Sequence, residues 1–258
     1  MKRSLGVILA LAGYLAAMPA YAQEQTTAKF NDPSRPGLVK VNWHNGSITI
    51  KTHTGNDVTI SSTRATVRRG SRVPREPREA VGLQRIDTDG AGFVVDSGNN
   101  NVITISSGSN TDTGTLEIEV PVRTNLNLES HNGASISIEG VEGDIEATNH
   151  NGSVNVTNAV GSVVAYSHNG RVTVSLRDIT AGKPMSFTSM NGNVDVTLPP
   201  AAKAELKMRT DNGGIYTDFD LQLKSGSGDR QYNGTINGGG PSFELRSHNG
   251  NIYLRKAK

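Results

Sequence analysis

The sequence predicts an all-β protein whose strands stack as a parallel solenoid built from nine-residue half-repeats. Between Gly143 and Gly170 a glycine recurs every nine residues. Every second unit of this stretch ends in the tripeptide His-Asn-Gly, at residues 131–133, 150–152 and 168–170. Self-similarity at a short fixed period is the signature of a repeat architecture, in which each unit buries its apolar face only against its neighbours.

Apolar residues alternate within each half-repeat, as they do in strands that bury one face. Val154 and Val156 of one unit correspond to Val172 and Val174 of a later unit. A period of two places both members of each pair on the same side of a strand. Parallel stacking is preferred because it puts equivalent residues above one another, about 4.8 Å apart. An antiparallel β-sandwich is the alternative, since Asn-Gly is also the strongest short hairpin signal.

Two segments precede the repeats and a third interrupts them. Residues 1–22 have the form of a signal peptide, with a basic start, the apolar stretch Leu5–Met18 and a small-x-small cleavage motif at residues 20–22. Residues 23–37 are polar and contain prolines, which predicts a flexible lead-in. A solenoid domain is then expected over residues 38–258, with an Arg-rich loop inserted at 64–85. Export to a periplasm is the preferred location, with the cell surface or secretion as alternatives.

Composition excludes several classes of function. Removing Lys2 and Arg3 with the signal leaves as many basic as acidic residues, so bulk attraction to nucleic acid is not expected. The chain has no cysteine, which excludes a disulfide framework and thiol chemistry. Beyond the signal, no apolar run approaches the roughly 20 residues of a membrane span.

The Arg-rich loop concentrates positive charge without any apolar period. Two prolines and two glutamates lie among its arginines, which disfavours a membrane helix. One interpretation is a solvated loop, and the other is a patch for peripheral contact with anionic lipid or acidic glycans. The arginines of this patch are Arg64, Arg68, Arg69, Arg72, Arg75 and Arg78.

The Asn-Gly pairs are expected to turn the chain at one corner of the solenoid. Leaving a strand there would need a positive φ, which glycine adopts freely and asparagine more readily than most residues. Stacked asparagine amides could also bond from coil to coil, as in other cross-β arrays. The turn residues are Asn132, Gly133, Asn151, Gly152, Asn169, Gly170, Asn191, Gly192, Asn212, Gly213, Asn249 and Gly250.

The residue before the asparagine is histidine in three successive repeats, at His131, His150 and His168. Stacked in one column, these imidazoles could bind a divalent metal ion. We favour the simpler interpretation of exposed turn residues, because collinear side chains converge poorly on a tetrahedral ion and because other residue types follow in the same place. Those residues are Met190, Asp211, Tyr232 and His248. His44 is assigned to a separate first unit.

No enzyme and no cofactor are indicated by the sequence. Neither the Gly-x-Ser-x-Gly nor the His-Glu-x-x-His motif occurs. Acids such as Asp144 and Asp195 are scattered along the repeats, whereas the polysaccharide-cleaving β-helices need acids clustered on one face.

Several motifs together resemble a bacterial family of exported domains known as the "putative adhesin" family, which is related to the head domains of auto-transporter adhesins. The matching stretches are residues 117–121 (Glu-Ile-Glu-Val-Pro), 126–133, 143–147 (Gly-Asp-Ile-Glu-Ala), 195–199 and 238–245. The likeness covers about Leu38 to Lys258 apart from the Arg-rich loop. It implies a single-stranded right-handed β-helix and brings no catalytic residues, because the family has no established chemistry.

Three functions are compatible with these observations. The first is a non-enzymatic, adhesin-like interaction or structural scaffold of the cell envelope, with an envelope protein or a glycan as its partner. The second is an envelope-sensing or regulatory accessory protein that acts through the Arg-rich loop. The third, which the scattered acids disfavour, is a carbohydrate-active enzyme.

Overall fold

A computed structural model describes residues 24–64, 93–98, 100–108, 114–180, 182–224 and 230–258 of the chain. The described residues form 21 β-strands, which confirms the all-β class. In this part of the chain there is no helix long and apolar enough to cross a membrane.

The strands are short and follow one another closely. The first seven are β1 Glu24–Lys29, β2 Gly37–Asn45, β3 Ile48–His53, β4 Asp57–Arg64, β5 Phe93–Gly98, β6 Val102–Ser107 and β7 Gly114–Pro121. The next eight are β8 Thr124–Asn132, β9 Ser135–Glu139, β10 Ile145–Asn149, β11 Ser153–Val160, β12 Val163–Ser167, β13 Val172–Asp178, β14 Met185–Ser189 and β15 Val194–Leu198. The last six are β16 Ala204–Thr210, β17 Ile215–Thr217, β18 Gln222–Leu223, β19 Gln231–Ile236, β20 Ser242–Ser247 and β21 Ile252–Lys256.

From β6 to β18, successive strands alternate between two sheets, as in a coiled solenoid. Sheet A has ten strands in the order β1-β4-β7-β3-β9-β11-β13-β15-β21-β17, and sheet B has eleven in the order β18-β19-β16-β20-β14-β12-β10-β8-β2-β6-β5. The central strands of both sheets pair in parallel, for example β10 with β12 and β11 with β13. The antiparallel sandwich alternative is therefore wrong for the central strands, because each strand pairs with the equivalent strand of the next coil.

The core lies between the two sheets and is filled from alternate strand positions. In β11 and β13 the inward-facing pairs Val154/Val156 and Val172/Val174 are fully buried, and the parallel register places Val154 against Val172 and Val156 against Val174. Every apolar position thus forms a column that runs along the stack. Burial of such columns is the main favourable term for a protein without disulfides.

Antiparallel strands lie at one end of sheet A and at both ends of sheet B, whereas the other end of sheet A is the parallel strand β17. At one end of the stack β1 pairs with β4 and β4 with β7, and at the other end of the stack β19 pairs with β16 and with β18. The expected flexible lead-in at residues 23–37 is wrong for residues 24–29, because these residues form β1. This strand pairs with the edge of β4 and so satisfies the backbone groups that would otherwise be free there. Ala28 of β1 and Phe30, just after it, are buried.

The coils do not stack in the order of the chain at the C-terminal end. Strands β20 and β21 lie against β14 and β15, and β16 and β17 lie beyond them. The last strands of the sequence are therefore inserted between two earlier coils. This arrangement changes which residues share a column.

An aromatic contact in the core offers a test of the inward and outward faces of β14. Phe187 of β14 and Phe243 of β20 are fully buried and meet edge to face, with ring centroids 6.3 Å apart. Replacing Phe187 with alanine should lower the free energy of unfolding by about 3–5 kcal/mol, since it leaves a cavity in the packed core. Urea denaturation measures this change.

The control for this substitution lies on the same strand. Thr188 faces outward beside Phe187, so that Thr188→Ala should change the stability by no more than about 0.5 kcal/mol. Equal effects of the two substitutions would contradict the assignment of inward and outward faces.

Candidate functional site

The Asn-Gly pairs gather at one corner of the solenoid, where seven strands of sheet B end. We call this corner the Asn-Gly corner; it comprises the last buried residue of the strand and the three residues after it in seven coils. Parallel register aligns the coils so that each of the four positions forms a column. The seven tetrapeptides are residues 43–46, 130–133, 149–152, 167–170, 189–192, 247–250 and 210–213.

The asparagines of this corner form a continuous ladder of side-chain hydrogen bonds. Each Nδ2 donates to the Oδ1 of the asparagine in the adjacent coil at 2.8–2.9 Å. The order along the ladder is Asn132, Asn151, Asn169, Asn191, Asn249 and Asn212. These side chains are exposed, and their mutual bonds fix the amide orientations along the stack.

The glycines of the corner are needed for a different reason from the expected one. Among the described residues, the non-glycine positions with positive φ are Asn100, Asn101, Asn158 and Asn237, and in the glycine column only Gly46 has a positive φ. The predicted left-handed turns are therefore wrong at Asn132–Gly133 and the five later pairs. These pairs turn the chain without leaving the ordinary φ range.

Close stacking of backbones explains the glycine column instead. A Cβ atom placed on Gly152 would lie 2.0 Å from the carbonyl oxygen of Gly133, and one on Gly170 would lie 2.4 Å from that of Gly152. The same clash with the adjacent coil recurs at Gly192, Gly250 and Gly213. Only a residue without a side chain fits where one backbone lies directly on another.

A column of buried hydroxyl groups completes the corner, and the sequence reasoning missed it. Ser167, Ser189, Ser247 and Thr210 are buried, and each donates to the carbonyl of a corner glycine in the adjacent coil at 2.7–2.9 Å. The signal was present, since a serine or threonine stands two residues before each of these asparagines. Burying a hydroxyl costs little when it is paired in this way.

The histidine column differs from the expected one in its membership. His44 lies next to His131 in the stack, with ring centroids 5.1 Å apart, and His131 lies 5.1 Å from His150 with an angle of 9° between the rings. The assignment of His44 to a separate unit is therefore wrong, because β2 pairs directly with β8. His168 follows in the next coil, where its Nδ1 lies 3.5 Å from the Tyr166 hydroxyl.

The later residues of the column also follow the spatial order. Met190 is followed by His248 and then Asp211, since β20 lies between β14 and β16. Tyr232 does not belong to the column, because it lies on β19, which pairs antiparallel with β16.

A carboxylate joins the first two histidines that the sequence singled out. Glu129 lies two residues before His131 on β8, and its Oε1 is 3.5 Å from His131 Nε2. Ligand atoms of Glu129, His131 and His150 all lie within 4.8 Å of one another. His168 is not a member of this cluster.

An ion pair marks the other end of the column. His248 Nδ1 lies 2.8 Å from Asp211 Oδ2, and Arg209 Nε lies 3.1 Å from Asp211 Oδ1. Hydrogen bonds from His248 and then Arg209 lower the pKa of Asp211 below its usual value. The resulting stabilisation is present above the carboxyl's pKa in the unfolded chain and is lost as the pH falls through its folded pKa.

A second surface lies on the outward face of sheet A near its C-terminal end. Tyr216 and Tyr253 stack with ring centroids 5.3 Å apart, and Arg255 lies 4.9 Å over the Tyr253 ring. Arg255 is held by Asp195 through two hydrogen bonds of 2.8 and 3.2 Å, which raise the pKa of the guanidinium. We call these four residues, with Asn251, the tyrosine face.

Most of the predicted anionic-partner patch lies outside the described residues. Arg64 is the last residue of β4, and Arg68, Arg69, Arg72, Arg75 and Arg78 fall in the part that the structure does not describe. The predicted signal peptide at 1–22 also lies outside it.

Two largely parallel sheets joined by stacked corners place the protein in the class of β-helix-like repeat proteins. The family model described as "Toastrack DUF4097" matches residues 36–255. The chain belongs to this toastrack family.

One solved structure agrees with the family assignment. The chain is similar to a "putative cell adhesion protein" from Clostridium sporogenes at a TM-score of 0.50 and 11% identity, covering 91% of this chain and 100% of that one. This likeness shows a shared fold and confirms the adhesin-type resemblance that the sequence motifs suggested.

Two further matches are too distant in structure to support an argument. A "putative adhesin" from Bacteroides fragilis has a TM-score of 0.28 at 10% identity, covering 93% of this chain and 99% of that one. Another from Parabacteroides merdae has a TM-score of 0.31 at 8% identity, covering 92% and 96%. A search of curated proteins finds no match.

The asparagine ladder can be tested by comparing an interior member with an end member. Asn169 donates one ladder bond and accepts another, whereas Asn212 donates one at the end of the ladder. At about 1 kcal/mol for each bond, Asn169→Ala should cost about 2 kcal/mol and Asn212→Ala about half as much. Urea denaturation of both variants measures the difference, and an equal cost would contradict a continuous ladder.

Proposed function

We propose that the protein is an exported, non-enzymatic, adhesin-like scaffold that binds envelope glycans through the tyrosine face of sheet A. Its periplasmic location rests on the signal-like residues 1–22. We further propose that the coil is a single-stranded, right-handed β-helix with nine-residue half-repeats. The ladder bond from Asn169 to Asn151 spans 18 residues, which supports two half-repeats in each of the most regular coils.

The observation that carries this proposal is the stack of tyrosines at the end of an outward-facing polar row. Parallel register aligns Thr173, Asp195, Tyr253 and Tyr216 on neighbouring strands of sheet A. Tyr216 is 55% exposed and lies on β17, the last strand of the sheet. One face of its ring is covered by Tyr253, and no further strand of the described sheet covers the other face.

Such a surface matches the chemistry of sugar rings. An aromatic ring packs against the apolar C–H face of a sugar, and neighbouring polar groups bond to its hydroxyls. Here the polar groups are already held in place: Arg255 by Asp195, and Asn251 through its Nδ2, which donates to the Tyr253 hydroxyl at 3.0 Å. Side chains fixed before binding lose less conformational entropy when a ligand arrives.

The positions of the repeat acids support a binding role rather than hydrolysis. Asp144 accepts two hydrogen bonds of 2.8 Å from Lys183, and Asp195 is held by Arg255. Each of these two acids is thus paired with a cation. Asp144 lies just before β10 of sheet B, whereas Asp195 lies on β15 of sheet A. Glycoside hydrolysis would instead need two carboxyl groups facing one another across a scissile bond.

Glycan binding can be tested with purified protein lacking residues 1–22, applied to an array of bacterial envelope polysaccharides. Tyr216→Ala and Tyr253→Ala should each weaken binding at least about tenfold, since loss of a stacking ring removes about 1.4 kcal/mol or more. Tyr166→Ala is the matched control, because Tyr166 lies on the outward side of sheet B. Its binding should equal that of the unmodified chain.

Two outcomes would overturn this proposal. One is the absence of binding to any glycan by protein with a native circular-dichroism spectrum. The other is an equal loss of binding in the Tyr166→Ala control. Association with envelope fractions that persists in Tyr216→Ala but disappears when Arg68, Arg69 and Arg72 become glutamine would instead favour the regulatory function through the Arg-rich loop.

A further inference from the structure

We propose that Glu129, His131 and His150 form a binding site for a divalent transition-metal ion of the Zn²⁺ class on the outer surface of sheet B. This site is separate from the tyrosine face on sheet A and does not depend on the proposed glycan function.

The parallel register of sheet B brings the three side chains together. Glu129 and His131 are two residues apart on β8 and therefore project from the same face. Asn149 of β10 pairs with Ser130 of β8, which places His150 beside His131. The two imidazole rings are nearly parallel, with their centroids 5.1 Å apart.

Glu129 supplies a third ligand beside the column of histidines. Stacked rings alone point their nitrogens side by side, so that these nitrogens do not converge on a shared ion. The carboxylate of Glu129 belongs to a residue outside the histidine column, and its Oε1 lies 3.5 Å from His131 Nε2. Two imidazoles and one carboxylate form a common three-ligand zinc site, in which water fills the fourth position.

Small side-chain rotations would bring the ligands to bonding distance. The ligand atoms lie within 4.8 Å of one another, whereas metal bonds of about 2.0–2.2 Å place tetrahedral ligand atoms roughly 3.3 Å apart. Glu129 and His131 are partly exposed and His150 is exposed. These side chains can therefore rotate without disturbing the core between the sheets.

A second observation at the same place concerns His44. Its ring stacks on the other side of His131 at 5.1 Å, and its buried Nδ1 has no hydrogen-bond partner among the described residues. A buried polar atom destabilises the fold unless a water, an ion or another group bonds to it. His44 lies outside the set of ligand atoms that are within 4.8 Å of one another, so we assign it no metal bond; a hydrogen bond to a metal-bound water would satisfy this nitrogen.

The other histidines of the Asn-Gly corner have different neighbours. His168 lies beside Tyr166, and His248 is bonded to Asp211. Both histidines belong to the same column but lie outside the carboxylate–histidine cluster. They provide matched controls for the site.

Isothermal titration with ZnCl₂ tests the proposal, using tag-free protein lacking residues 1–22 that has been treated with chelator. One ion per chain should bind, and His131→Ala, His150→Ala and Glu129→Gln should each weaken the affinity at least about tenfold. His168→Ala and His248→Ala should bind as the unmodified chain does. Absence of saturable binding, or an equal loss in the two controls, would overturn the site.

Copper provides a second measurement, which identifies the ligands of the bound ion rather than its affinity. Cu²⁺ prefers the same nitrogen and oxygen ligands, and its electron paramagnetic resonance spectrum reports the coordinating nitrogens. The unmodified chain should show at least two imidazole nitrogens, and His150→Ala should show one fewer. A spectrum that is unchanged in His150→Ala would overturn the assignment of this ligand.

Discussion

Direct stacking of one backbone on another at the Asn-Gly corner is the constraint on which the rest of the structure depends. At Gly152 and Gly170 the adjacent coil lies so close that no Cβ atom would fit. Buried hydroxyls such as that of Ser167 bond to the glycine carbonyls on the inner side, and asparagine amides bond to one another on the outer side. Sliding a strand by one residue would place a side chain in the glycine column and break both sets of bonds, so the corner fixes the register of sheet B.

Register in turn decides which chemical groups meet on the surface. Each strand position becomes a column or a row, so a residue type that recurs in neighbouring coils forms a linear array. The His44–His131–His150 stack is one such array, and the tyrosines at the end of sheet A are another. In a solenoid, therefore, binding sites can arise on flat sheet faces without a deep pocket, provided that the coils stay in register.

The sequence predicted the repeating features of this protein well and its exceptions poorly. Period-two alternation in pairs such as Val154 and Val156 was sufficient to predict which residues form the core and that the coils stack in parallel. The glycines were explained wrongly, because φ preference belongs to a single residue whereas the close approach at Gly152 exists only between coils. His44 was misplaced because the strands β4 to β7, which lie between β3 and β8 in the sequence, hide its position in the repeat. The insertion of β20 before β16 also exchanged the order of His248 and Asp211 in the histidine column. Glu129 became a candidate ligand only once register placed His150 beside its strand.

Hydrogen exchange of the asparagine side-chain amides, followed by nuclear magnetic resonance, is the most direct measurement of the corner. These side chains are exposed, so slow exchange must come from the hydrogen bonds of the amides themselves. These are the ladder bonds, and at Asn151 also a bond from Nδ2 to the carbonyl oxygen of His131. A continuous ladder predicts that the Nδ2 protons of Asn151, Asn169 and Asn191 exchange at least about tenfold more slowly than those of Asn158, an exposed asparagine outside the ladder. Equal exchange rates for all four would contradict a corner held together by stacked amides.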